Sequence, residues 1–299
     1  MSYGGKAVRP FRDSRRVKSL ERAMVHGGKR EAASAAFELG RLMDDAGDQD
    51  GALNAYRKAM ASGEPEYAAA SAYNLATILS AVGNAPQARA AYEFAMAIQS
   101  EHRYRAAYNL GNLLLKEFED ETAAAAAFDV AIRGSDTEVV SKAAHNLGLI
   151  MEAEGRTQEA KKAFARAVED WEGRAEQIKA AYQLGCILEQ VGDLEEAIAF
   201  YRLASSGSGE AACRSLFNMG FAAKKLGDRD GAISAFREAA SREGFSHLAA
   251  MAEVALGRLY EESGEISEAR RAYRSAVSRG HAIESSNAAI WLGQLEEGP

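Results

Sequence analysis

Residues 181–204 read AYQLGCILEQVGDLEEAIAFYRLA, and their spacing decides the fold. Ala181, Leu184 and Gly185 stand at i, i+3 and i+4, on one face of a helix. Ala197, Tyr201 and Ala204 stand at i, i+4 and i+7, on one face of a second helix. Between them lies Gly192-Asp193, and glycine ends a helix in the left-handed conformation without a Cβ penalty. The stretch is therefore a helical hairpin. Its small residues let two backbones approach, and its large ring fills the gap between them.

The pattern recurs along the chain. Leu-Gly pairs begin at Leu39, Leu110, Leu147, Leu184, Leu256 and Leu292, and Leu75-Ala76 and Met219-Gly220 fill the gaps. Consecutive sites are 35 to 37 residues apart. After each of the first seven comes an aromatic residue with alanine four before and three after it: Tyr56, Tyr92, Phe128, Phe164, Tyr201, Phe236 and Tyr273. Aromatics are only 8% of the chain, so seven placements out of seven are not chance. Turn glycines sit at Gly47, Gly83, Gly155, Gly192, Gly227 and Gly264. The third unit has none there, and Lys116–Thr122 carries one extra residue, read as a surface insertion. One hairpin is too small to bury its own apolar face, but stacked hairpins share a continuous core.

These landmarks resemble those of the tetratricopeptide repeat family, whose unit is about 34 residues. The resemblance covers residues 31–296. It implies an all-α fold, a right-handed α-solenoid of stacked helical hairpins (a TPR-like superhelix). A Sel-like repeat is the second label and implies the same hairpins. The chain departs from the family in its longer period, in a proline displaced to Pro65, and in alanine at Ala36, Ala72, Ala107, Ala144 and Ala181, where the family is bulky.

Residues 18–27, KSLERAMVHG, align without gaps on residues 54–63, NAYRKAMASG. The expected organisation is a basic tail over 1–13, a lone N-terminal capping helix over 14–30, seven hairpins over 31–283, and a C-terminal capping helix with its tail over 284–299.

Hydrophobic content of 47% with 26% charge fits a folded chain. No apolar run approaches the roughly 18 residues of a membrane span. The charged N-terminus reads as no secretory signal, and Cys186 and Cys213 form no CxxC pattern, so a cytoplasmic location is expected. The two cysteines fall about eight helical positions out of register, roughly 12 Å at 1.5 Å per residue and beyond disulfide reach. Residues 1–30 hold nine Lys/Arg and two Asp/Glu, about +7, so with a net charge of −7 the remainder carries −14. Arg9, Arg12, Arg15 and Arg16 give a second reading, an adaptor whose basic arm meets nucleic-acid phosphates. The apolar last helix, with Ile290, Trp291 and Leu292, gives a third, a homo-oligomeric scaffold.

The resemblance implies that the first helix of each hairpin lines a concave inner surface. One residue before the Leu runs an amide row: Asn74, Asn109, Asn146, Gln183 and Asn218. Carboxamides both donate and accept, as an extended peptide backbone requires. Five before the Leu stand Arg105, Lys142, Lys179 and Arg214, which suit an acidic partner. Two before it stand Phe37, Tyr73, Tyr108, His145, Tyr182 and Phe217, and just after the Gly stand Leu149, Cys186 and Phe221. These apolar rows either face a ligand or pack between adjacent first helices. The five histidines show no metal-ligand spacing, and no phosphate-binding, dinucleotide or nucleophile-elbow motif occurs. The expected function is non-catalytic, needing no cofactor or metal: a scaffold that holds an extended, acidic and partly apolar segment of another protein in the groove.

Overall fold

The computed structural model describes residues 15–297, and all regular secondary structure among them is helical. A lone helix α1 (Arg15–His26) comes first. It is followed by α2 (Lys29–Asp45), α3 (Gln49–Ala61), α4 (Pro65–Ala81), α5 (Ala85–Ala97), α6 (His102–Leu113), α7 (Glu121–Ala131) and α8 (Thr137–Ala153). Then come α9 (Thr157–Val168), α10 (Ala175–Val191), α11 (Leu194–Ser205), α12 (Glu210–Lys225), α13 (Arg229–Ser241), α14 (Ser246–Glu262), α15 (Ile266–Ser278) and α16 (Ala282–Glu297). The basic tail expected over 1–13 lies outside the described residues. Helix α2 starts two residues earlier than the expected boundary at 31, and α16 two earlier than 284.

The chain forms two compact units, Met1–Ile150 and Met151–Pro299, and the division falls inside α8. In the first unit each helix from α1 to α7 packs on the next, and α2 touches α4 as α4 touches α6. In the second unit the same holds from α9 to α16, with α10 on α12, α12 on α14 and α14 on α16. First helices thus meet first helices of the neighbouring hairpin in both units.

The Leu-Gly pair works by letting a ring in. A Cβ on Gly40 would stand 2.6 Å from the Tyr56 ring, and one on Gly111 2.5 Å from Phe128. In the second unit the same test gives 2.6 Å for Gly185 against Tyr201, 2.5 Å for Gly220 against Phe236 and 2.3 Å for Gly257 against Tyr273. All five rings are buried, so glycine is needed for the close approach of the hairpin's two helices.

Turn chemistry sets the hairpins' length. Gly192 ends α10 in the left-handed region with φ 90°. Asp48, Asn84, Asp120 and Asp228 start the second helices by accepting backbone N–H bonds from Gly51, Gln87, Ala123 and Gly231. The third unit absorbs its extra residue within the helix rather than in a loop. Leu114–Phe118 form a turn of π-helix, and Glu119 takes the left-handed position with φ 53°. Phe118 lies 5.4 Å from the Arg89 guanidinium, ring face toward the cation.

The last helix is bound to its unit. Ala288 is buried, and the Trp291 ring lies 5.7 Å from Tyr273. Ile283 and Ile290 point to solvent, at 71% and 59% exposure.

Candidate functional site

The aromatic row has one regular partner. Each ring two before the Leu lies against the large ring of its own hairpin's second helix. The centroid distances are 6.2 Å for Phe37–Tyr56, 6.3 Å for Tyr73–Tyr92 and 6.1 Å for Tyr108–Phe128 in the first unit. In the second they are 6.2 Å for Tyr182–Tyr201 and 5.9 Å for Phe217–Phe236. These rings are half-buried, each with one side on the ring of its own second helix. Two of them also meet a ring of the next first helix, Phe37 at 6.2 Å from Tyr67 and Tyr73 at 6.0 Å from His102, so packing between first helices, the alternative raised above, applies to these two. His145 differs: at 7% exposure it lies within the core and offers little to a ligand.

The amide row is already in use. Asn74 donates to the Tyr56 hydroxyl at 3.3 Å, Asn109 to the Tyr73 hydroxyl at 3.4 Å, and Asn146 to the Asn112 side-chain oxygen at 3.0 Å. In the second unit Gln183 donates to Glu152 at 2.9 Å and Asn218 to the Tyr201 hydroxyl at 3.5 Å. Every bond runs back to the preceding repeat. A carboxamide has two donors and one acceptor, so each keeps capacity for a further partner.

Three of the four cations are paired. Arg105 meets Asp136 at 2.8 Å, Lys142 meets Glu138 at 2.6 Å and Arg214 meets Glu210 at 2.7 Å. The last two pairs lie on one helix turn. Asp136 is pushed up by burial, but Arg105 and the amides of Val139 and Glu138 outweigh that and hold it low. Lys179 is exposed and has no ionic partner among the described residues.

The second unit extends this face beyond the expected residues. On α12, Phe217 and Phe221 meet edge to face with centroids 5.0 Å apart, and Phe221 is 37% exposed. Beside them a cleft of about 310 Å³ is closed by Met251, Val254 and Arg258 of α14 and Trp291 of α16. Val254 occupies the aromatic row's position and Arg258 the position just after the Gly, so the signal was in the repeat register. It was hidden because neither residue is aromatic, and because Trp291 sits one step off the row.

Around Cys186 the side chains form a hydrogen-bonded group rather than a nucleophile. Burial pushes the Cys186 thiol up, and the Tyr201 hydroxyl bonds both to it and, at 2.9 Å, to Glu189. Cys213 is buried and pushed up for the same reason, and both cysteines are free. Among the described residues no group of three His, Cys, Asp or Glu could hold a metal ion, and no helix is long and apolar enough to cross a membrane. Arg9 and Arg12 lie outside the described residues. Arg15 is exposed, and Arg16 pairs with Glu38.

In each unit, stacked hairpins whose first helices meet and carry rings, amides and cations define a helical-repeat protein of the kind that meets other proteins. The chain belongs to the tetratricopeptide repeat family, whose models match residues 33–134, 139–208, 217–283 and 254–296. No curated protein matches it. Among solved structures it is similar to the C-terminal part of a TPR repeat-containing protein from Cytophaga hutchinsonii, at 12% identity and TM-score 0.59, over 84% of this chain and 98% of that one. It is similar also to YrrB, described as a TPR protein with an unusual peptide-binding site, at 23% identity and TM-score 0.50, over 67% of this chain and 98% of that one. At these identities the likeness concerns the fold.

Proposed function

We propose that this protein holds an extended segment of another protein against the face of its first helices, and performs no reaction on it. The observation that carries this reading is the aromatic row: half-buried rings anchored by the second helix, each with part of its surface still exposed. Such rings lose little side-chain freedom when a ligand covers them, which is why aromatics dominate binding hot spots. Lys179, the remaining hydrogen-bonding capacity of the amides and the exposed Phe221 supply the polar and apolar contacts around them. An acidic, partly apolar segment matches that set. The peptide-binding description of YrrB, a protein of the same fold, is in keeping with it.

The test is selection of a random 12-residue peptide library on the full chain, followed by hydrogen-exchange footprinting of the selected peptides. Protection is expected on first helices such as α10 and α12. Protection confined to second helices, or no selected peptide, overturns the reading.

A further inference from the structure

One cleft on the second unit has a more definite chemistry than the rest of the face. It lies where α12, α14 and α16 meet, and its far wall comes from α16. Its volume, about 310 Å³, is at the low end for ligand pockets of about 300–1,000 Å³. That is room for a large side chain and its neighbour.

The walls are apolar and stiff. Phe221 stands edge-on to both Phe217 and Phe236, with centroids 5.0 and 5.1 Å away, so its ring is braced from two sides. Trp291 is braced from behind by Tyr273 at 5.7 Å. Met251 and Val254 are half-buried between them, and methionine adapts to varied shapes.

The charges at the rim are unequal. Lys224 is paired with Glu262 at 2.7 Å, and Glu284 approaches His247 at 3.5 Å. Arg258 is exposed and lies 5.6 Å from the Trp291 ring centroid. Among the described residues it meets no carboxylate. A guanidinium over an indole face keeps its outer N–H donors free for a carboxylate from elsewhere.

We infer that this cleft takes a large apolar or aromatic side chain of a partner peptide, with an adjacent Asp or Glu carboxylate on Arg258. The inference rests on the proposed function and narrows it to one anchor of stated chemistry. A nucleic-acid strand fits less well, because it brings a phosphate with every nucleotide and needs a run of cations, whereas Lys224 is already paired with Glu262 and Arg258 is left for a single anion.

The probe is a Gly/Ser decapeptide carrying 4-fluorophenylalanine followed by Asp, observed by fluorine NMR with the full chain. Companion peptides replace the Asp by Lys, or the ring by Ala with a fluorine tag at the terminus. A thymidine dodecamer serves as competitor. The aromatic–Asp peptide should bind at least fivefold more tightly than either companion, and the oligonucleotide should leave it bound. Phe221→Ser should weaken it at least fivefold. Arg258→Glu should reverse the preference to the aromatic–Lys peptide, a gain that a misfolded variant cannot show. Equal affinity for the Asp and Lys peptides, an unchanged preference in Arg258→Glu, or displacement by the oligonucleotide overturns the inference. If library peptides still footprint on other first helices, the proposed function stands and only the anchor fails. If they footprint on second helices, both fail.

Discussion

Asn109 donates its side-chain amide to the hydroxyl of Tyr73, 3.4 Å away on the first helix of the preceding hairpin. The Tyr73 ring in turn lies 6.3 Å from Tyr92 and 6.0 Å from His102. Asn109, one of the residues proposed to meet a ligand, is therefore a joint between repeats. In the second unit Asn218 makes the same bond to Tyr201, though that ring belongs to a second helix. The amides thus join neighbouring repeats within each unit.

Breaking that joint should cost stability before it affects binding. Tyr73→Phe and Asn109→Ala should each lower the unfolding free energy by about 0.5–1.5 kcal/mol, the usual net worth of a hydrogen bond. The double variant should lose less than the sum, because both changes remove one bond. Urea unfolding of the four proteins checks this, and strict additivity would mean that the bond does not form in solution.

Gly111 is required by the Phe128 ring, which a Cβ would meet at 2.5 Å. Phe128 is fully buried, so it has no free space to retreat into. Gly111→Ala should destabilise the protein by about 1–3 kcal/mol, as overpacking does, although alanine is the better helix former. Gly111→Ala combined with Phe128→Leu should recover part of the loss. A stabilised single variant, read from its thermal midpoint, would refute the steric account.

The hairpins were legible because they rest on local rules. Leu184-Gly185, Gly192 and Tyr201 report helix face, helix stop and interhelical gap within about 20 residues, and the repeat copies that message. The site was legible only as rows. Spacing places Tyr108 and Lys142 on a face, but it does not show that Tyr108 leans on Phe128 or that Lys142 meets Glu138. Those outcomes depend on rotamers and on charges a turn or a repeat away. His145 sits in register with tyrosines, yet it is buried, since register fixes direction and not depth. Trp291 was legible only as part of an apolar last helix, because it stands one before Leu292 and so falls off the aromatic row.

Glu119 is a non-glycine residue in the left-handed region, at the point where the other hairpins place glycine. The conformation costs an L-residue about 1–2 kcal/mol. Glycine relieves that strain but loses more backbone entropy on folding, about 0.5–1 kcal/mol. Glu119→Gly should therefore stabilise the protein by roughly 0.5–1 kcal/mol on those two magnitudes. A higher melting temperature checks it. No gain would mean that the Glu119 side chain makes a compensating contact in solution.

His102 gives the fold a dependence on pH. It starts α6, faces Tyr73, and its Nδ1 is buried without a hydrogen-bond partner among the described residues. Burial lowers its pKa, the Arg105 charge lowers it further, and Glu101 and Glu66 only partly offset them. The unfolded chain, with an ordinary value near 6.5, then takes up the proton first as pH falls. Stability from the neutral ring is present in full above about 6.5 and is lost as pH falls from there toward the lower folded value. His102→Gln cannot take up a proton. Urea midpoints of the two proteins, measured from pH 7.5 to 5, should therefore converge or cross as pH falls, the native protein losing more. Parallel curves would show that the ring is solvated in the folded state. The comparison isolates this residue, because the other four histidines are common to both proteins.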